Sequence, residues 1–106
     1  MLFWYQIWYY NNHKGLIMSK IKKLYDKLNR KPIPKDVEFE ELDKLLKYFG
    51  FECRQPSRGG SHYVYIHKEL DGFQLTVVKA KPVKPPYVKK AIELINMLIE
   101  IRGGND

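Results

Sequence analysis

A chain of 106 residues, 44% of them apolar, has enough material for one domain with a real core and not for two. Nineteen Lys and Arg against twelve Asp and Glu give a net charge of +7, so a polyanion is the partner class to weigh first, against the plainer reading of a merely basic surface. Cys53 is the only cysteine, which excludes an intramolecular disulfide and a cysteine-rich zinc centre and favours a reducing, cytoplasmic setting.

Residues 1–17 differ from the rest. Phe3, Trp4, Tyr5, Trp8, Tyr9 and Tyr10 crowd the first ten positions, with no basic start and with Gln6 interrupting the apolar run. That is not a secretory signal, and it is too short to span a bilayer. The plain reading is a leader upstream of a translation start at Met18; the functional one is an aromatic anchor for a membrane or partner. Without it, 18 basic residues still face 12 acids, so the positive charge belongs to the domain.

From Ser19, a plausible N-cap, Ile21, Leu24, Tyr25 and Leu28 recur at helical spacing with lysines between them. Pro32 and Pro34 stop that helix near Arg30, so 18–35 reads as an additional helix plus a proline-containing linker. A second helix starts at Asp36 or Glu38 and presents Phe39, Leu42, Leu45, Leu46 and Phe49 on one face, acids early and lysines late. Gly50 is placed to end it as a left-handed cap. Residues 51–55 alternate as a strand, and 56–60 form a loop.

The next strand, 62–67, sets Val64 and Ile66 on one side and Tyr63, Tyr65 and His67 on the other. Asp71-Gly72 supplies a turn, and 73–78 is a third strand with Leu75 and Val77 sharing a face. After a lysine- and proline-rich loop at 79–86, Pro86 suits the first turn of a closing helix. Its expected core side is Val88, Ala91, Ile92, Ile95 and Ile99, and Gly103-Gly104 ends it, leaving 103–106 as a tail. The expectation is an α+β, double-stranded-RNA-binding-like α-β-β-β-α domain over 36–102, its three-stranded antiparallel sheet covered by helices on one face, with an extra N-terminal helix.

The most specific stretch is Arg58-Gly59-Gly60-Ser61-His62-Tyr63-Val64-Tyr65-Ile66-His67, preceded by Leu42 to Leu46 and Phe49-Gly50-Phe51 and followed by Leu75-Thr76-Val77-Val78 and the 79–86 loop. This order of motifs over roughly 38–97 resembles the HicA toxins of type II toxin–antitoxin pairs. The resemblance implies metal-independent cleavage of mRNA by a catalytic histidine, His62, without a cofactor, and inhibition by a HicB-like antitoxin protein. The leading helix and the aromatic start lie outside it.

The chemistry is consistent on its own ground. RNA carries its nucleophile in the 2′-hydroxyl, so an enzyme needs only to take that proton, assist the leaving 5′-oxygen and offset charge on the phosphate. Histidine is the side chain whose ordinary titration lies near neutrality, suited to proton transfer in either direction. Ser61, the Gly59 and Gly60 amides, Arg54, Arg58, Lys79, Lys81 and Lys84 are the candidate RNA-binding groups.

Each has a plainer role. For His62 it is that of a strand-entry residue bonding the backbone, for the glycines a turn, and for the lysines solvated charge. Tyr63 and Tyr65 either stack bases or cover the sheet. His67, five residues on, points to the opposite face and suits a surface or structural role. Cys53 reads as a small core residue, with a Cys53–His62 nucleophile–base pair as the remote option. The rival functions are a non-catalytic double-stranded-RNA-binding-like module, with Lys89-Lys90 at its last helix, and a protein-interaction domain.

Overall fold

The structure, a computed structural model, describes residues 16–54 and 60–103, without the side chains of 16–19. Residues 1–15 of the 1–17 leader, Arg58, Gly59 and the end of the tail lie outside the described residues. Six elements follow in order: α1 (Leu16–Leu28), α2 (Phe39–Tyr48), β1 (Glu52–Arg54), β2 (His62–Ile66), β3 (Gln74–Val78) and α3 (Pro85–Gly103). The protein is α+β, with one antiparallel sheet in the order β1-β2-β3.

The first helix is already running at Leu16, so Ser19 is not its N-cap. Leu16, Ile17 and Met18 contain no helix breaker, so nothing local confines the start to Ser19. Ile21, Tyr25 and Leu28 are buried in the common core, making α1 part of the domain rather than an appendage. It is tied to its neighbours by polar contacts as well. The Lys27 ammonium lies 3.1 Å from both carboxylate oxygens of Glu41 on α2, and the Tyr25 hydroxyl donates to Asn96 on α3.

The ends of α2 follow its sequence closely. The Glu38 amide donates to the Glu41 carboxylate at 3.0 Å, as in a capping box, and Gly50 (φ +96°) turns the chain out of the helix. Leu42, Leu45 and Leu46 are buried, as are Phe39 and Phe49. Asp43, on the flank, receives the Tyr65 hydroxyl at 2.7 Å and the Lys47 ammonium at 3.0 Å.

In the sheet, Cys53 faces Tyr65, Tyr63 faces Val77 and Tyr65 faces Leu75. Tyr65, Leu75 and Val77 are fully buried, and the Tyr63 ring packs 4.8 Å from that of Phe39 on α2. This is the face the helices cover. The alternate residues Glu52, Arg54, His62, Val64, Ile66, Gln74, Thr76 and Val78 form the other face and are half-buried or exposed. Tyr65 therefore cannot stack a base: it lies in the core, with its hydroxyl pushed well above the usual tyrosine range by burial and then by its bond to Asp43.

The β2–β3 connection is a double turn that includes the expected Asp71-Gly72. The Leu70 amide donates to the His67 carbonyl and the Phe73 amide to the Leu70 carbonyl, both at 3.0 Å, with Gly72 at φ +88°. Along α3, Leu94 and Leu98 are buried with Val88, Ala91, Ile92 and Ile95, whereas Ile99 is only half-buried. Apolar residues occur on more than one side of this helix. Its core side is chosen by where α1, α2 and β3 pack, which periodicity alone does not reveal.

Candidate functional site

His62 opens β2, opposite Val78 of β3, on the face of the sheet turned away from the helices. Its side chain is exposed and, among the described residues, makes no hydrogen bond or ion pair. Just before it stand Gly60, at φ +96°, and Ser61, both exposed. The Ser61 carbonyl accepts the Lys79 amide at 2.7 Å, extending the ladder one step past His62 and holding this end of β2 against β3.

Arg54 shares His62's face. It pairs across the sheet with Val64, which makes it the diagonal neighbour of His62. Such positions lie about 7–8 Å apart, within reach of a long side chain. Among the described residues the guanidinium is engaged only by Glu52, at 3.6 Å with both groups exposed, a weak contact that an incoming phosphate would readily displace.

The lysines of the 79–86 loop reach the same end of the sheet from the other side. The Lys79 ammonium lies 5.3 Å from the centre of the Phe39 ring, on the helix side. Lys81 lines a cleft of about 400 Å³ with Pro82, Lys35, Asp36, Glu38, Phe39 and Glu40. Lys84 is exposed beyond Val83, whose buried side chain and 2.8 Å amide bond to the Val37 carbonyl tie this loop to the linker before α2. The structure thus gathers His62 and Arg54 on the open face, with Ser61 exposed at the entry to the strand and Lys79 and Lys81 around the adjoining edge. Arg58 is outside the described residues. Lys35 was not singled out from sequence, and no local signal marks it. Its neighbourhood to Lys81 follows from the Val83–Val37 bond.

The remaining candidates part company. Cys53 faces the helices and His62 faces away, so the two are not a nucleophile–base pair. His67 is buried, not at the surface. Its Nε2–H donates to the Phe49 carbonyl at 2.9 Å, and its Nδ1 accepts the Glu69 amide at 3.0 Å, which fixes a neutral, structural tautomer. Arg102 closes the cluster, 3.1 Å from the Glu69 carboxylate, and that hydrogen bond holds the carboxyl below its usual range. A cleft of about 500 Å³ beside His67 lies at the opposite end of the sheet from His62.

No protein-family model, curated protein or solved structure matches the chain. Among the described residues, no helix is long and apolar enough to cross a membrane.

Proposed function

We propose that the protein is a small, metal-independent endoribonuclease of the HicA kind, with a double-stranded-RNA-binding-like fold, that cleaves mRNA through His62 and is restrained by a HicB-like antitoxin. The observation that carries this reading is His62 itself. It is an exposed imidazole with no partner among the described residues, held at the start of a central strand, beside a glycine-serine turn and a diagonal arginine on an open sheet face.

In this mechanism the imidazole removes the proton from a 2′-hydroxyl. The freed oxygen attacks the adjacent phosphorus, and the bond to the 5′-oxygen breaks as that oxygen takes up a proton. The products are a 2′,3′-cyclic phosphate and a 5′-hydroxyl. Arg54 and the Ser61 hydroxyl are the groups at hand to offset charge on the phosphoryl oxygens, and the Lys79 and Lys81 rim suits the flanking backbone.

The test is cleavage of a defined messenger in excess EDTA by the parent chain and by His62→Ala. The expected loss is about 10²–10⁴-fold, the usual contribution of a general acid–base group. Cleavage by His62→Ala at the parent rate, or 5′-phosphate products with a strict Mg²⁺ requirement, overturns the proposal. Salt-dependent RNA binding with no cutting by either chain would favour the non-catalytic RNA-binding module.

A further inference from the structure

We infer that the groove between α1 and α2 is a second RNA-holding surface, which grips the single-stranded backbone beyond the segment positioned at His62; this rests on the reading of the protein as an RNA-acting one. The groove encloses about 430 Å³ and is lined by Lys20, Lys23, Leu24, Lys27, Glu40, Glu41 and Lys44. Four lysines against two glutamates leave it positive.

The charges are not equivalent. Glu41 is engaged by Lys27 through two 3.1 Å contacts, and Lys27 also lies 4.0 Å from Asp36. Lys20, Lys23 and Lys44 are exposed and, among the described residues, have no carboxylate partner, so Glu40 is the one groove acid opposing them. Half-buried Leu24 supplies an apolar floor on which a ribose or base can rest. Three uncommitted ammonium groups over such a floor match the repeating anionic and apolar character of single-stranded nucleic acid.

Position supports the same occupant. Glu40 lines both this groove and the cleft that holds Lys35 and Lys81, so the two adjoin at the first turn of α2. Phe39, in that second cleft, carries Lys79 on its ring and packs against Tyr63, the residue after His62. A strand leaving His62 around the end of the sheet meets Lys79, then Lys81 and Lys35, then the α1–α2 groove. On that path Asp36, Glu38 and Glu40 are the opposing acids.

The probe is a 20-nucleotide 2′-O-methyl oligouridylate, which lacks the attacking hydroxyl and survives intact; binding is followed by fluorescence anisotropy across a salt series. Each phosphate contact on a single strand contributes about 0.7 to the slope of log affinity against log salt. The triple variant Lys20→Gln, Lys23→Gln, Lys44→Gln should therefore lower the slope by about 2, so that the affinity lost between 50 and 200 mM salt shrinks by about 20-fold. The Lys→Arg version of the same triple should keep the slope, showing that charge and not folding is read. Arg30→Gln, Lys31→Gln, Lys68→Gln, exposed positions matched in charge, should lower it much less.

An unchanged slope in the groove triple, or an equal fall in the matched triple, overturns this inference and leaves the His62 reading standing. Preference of the groove for a polyglutamate peptide over the oligonucleotide assigns it to an acidic protein segment and overturns it too. Absence of salt-dependent binding by the parent chain overturns both readings.

Discussion

Gly50→Ala offers the sharpest check on how this domain is held together. Two penalties combine there. At φ +96° an L-residue is strained by about 1–2 kcal/mol. A Cβ at that position would also sit 2.9 Å from His67 Nε2, closer than such atoms approach. The imidazole cannot simply swing aside, because it is buried and bonded through both nitrogens, to the Phe49 carbonyl and the Glu69 amide. Displacing it leaves buried polar groups unpaired, at about 1–3 kcal/mol. The total is about 2–5 kcal/mol, or a melting temperature lower by about 10–25 °C for a domain of this size.

Gly72→Ala is the internal control. Its φ of +88° carries the same backbone strain, but nothing lies within 4 Å of its added Cβ, so only about 1–2 kcal/mol is expected. Thermal unfolding of both glycine variants, of His67→Ala, and of Gly50→Ala combined with His67→Ala completes a double-mutant cycle. Removing the imidazole should bring the Gly50→Ala penalty down to the Gly72→Ala level. Equal penalties for the two single variants would refute the argument that His67 is pinned.

The place of α1 in the core is open to an equally direct measurement: Leu28, fully buried, should cost about 2–5 kcal/mol on replacement by Ala in urea unfolding, and a cost under about 1 kcal/mol would make the helix an appendage after all. The Glu69–Arg102 contact predicts a pH signature. Since the folded carboxyl titrates below its unfolded value of about 4.5, its stabilisation is present above that pH and is lost as pH falls through the folded value. Glu69→Gln should therefore melt below the parent at pH 7, and the gap should narrow by pH 3. A gap that stays constant with pH would show that the pair does not couple to folding.

Much of the architecture was legible because its signals are local. The Glu38 start and Gly50 end of α2, the three alternating strands and the turn at Gly72 all rest on interactions within a few residues. The alternation also separated His62 from His67, since an odd spacing in a strand must place two side chains on opposite faces. What alternation does not reveal is which face is covered. Val64 and Ile66 have the more apolar side chains, yet the helices cover the side of Tyr63, Tyr65 and His67. Asp43 and the Phe49 carbonyl satisfy the polar atoms of Tyr65 and His67 there, and the acceptors come from α2 and the residue that caps its end, far away in sequence.

The sequence alone determined the number and kind of elements, the net positive charge and the pairing of Gly60-Ser61 with a strand-opening histidine. Those properties depend on composition and short-range periodicity. Only the tertiary structure decided that α1 belongs to the core, that Arg54 stands diagonal to His62, and that the 30–37 linker meets the 79–86 loop through the Val83–Val37 bond. The physical reason is that contacts between distant segments depend on how helices settle on a sheet. That choice is made by shape and by the satisfaction of buried polar groups, which no window of neighbouring residues contains.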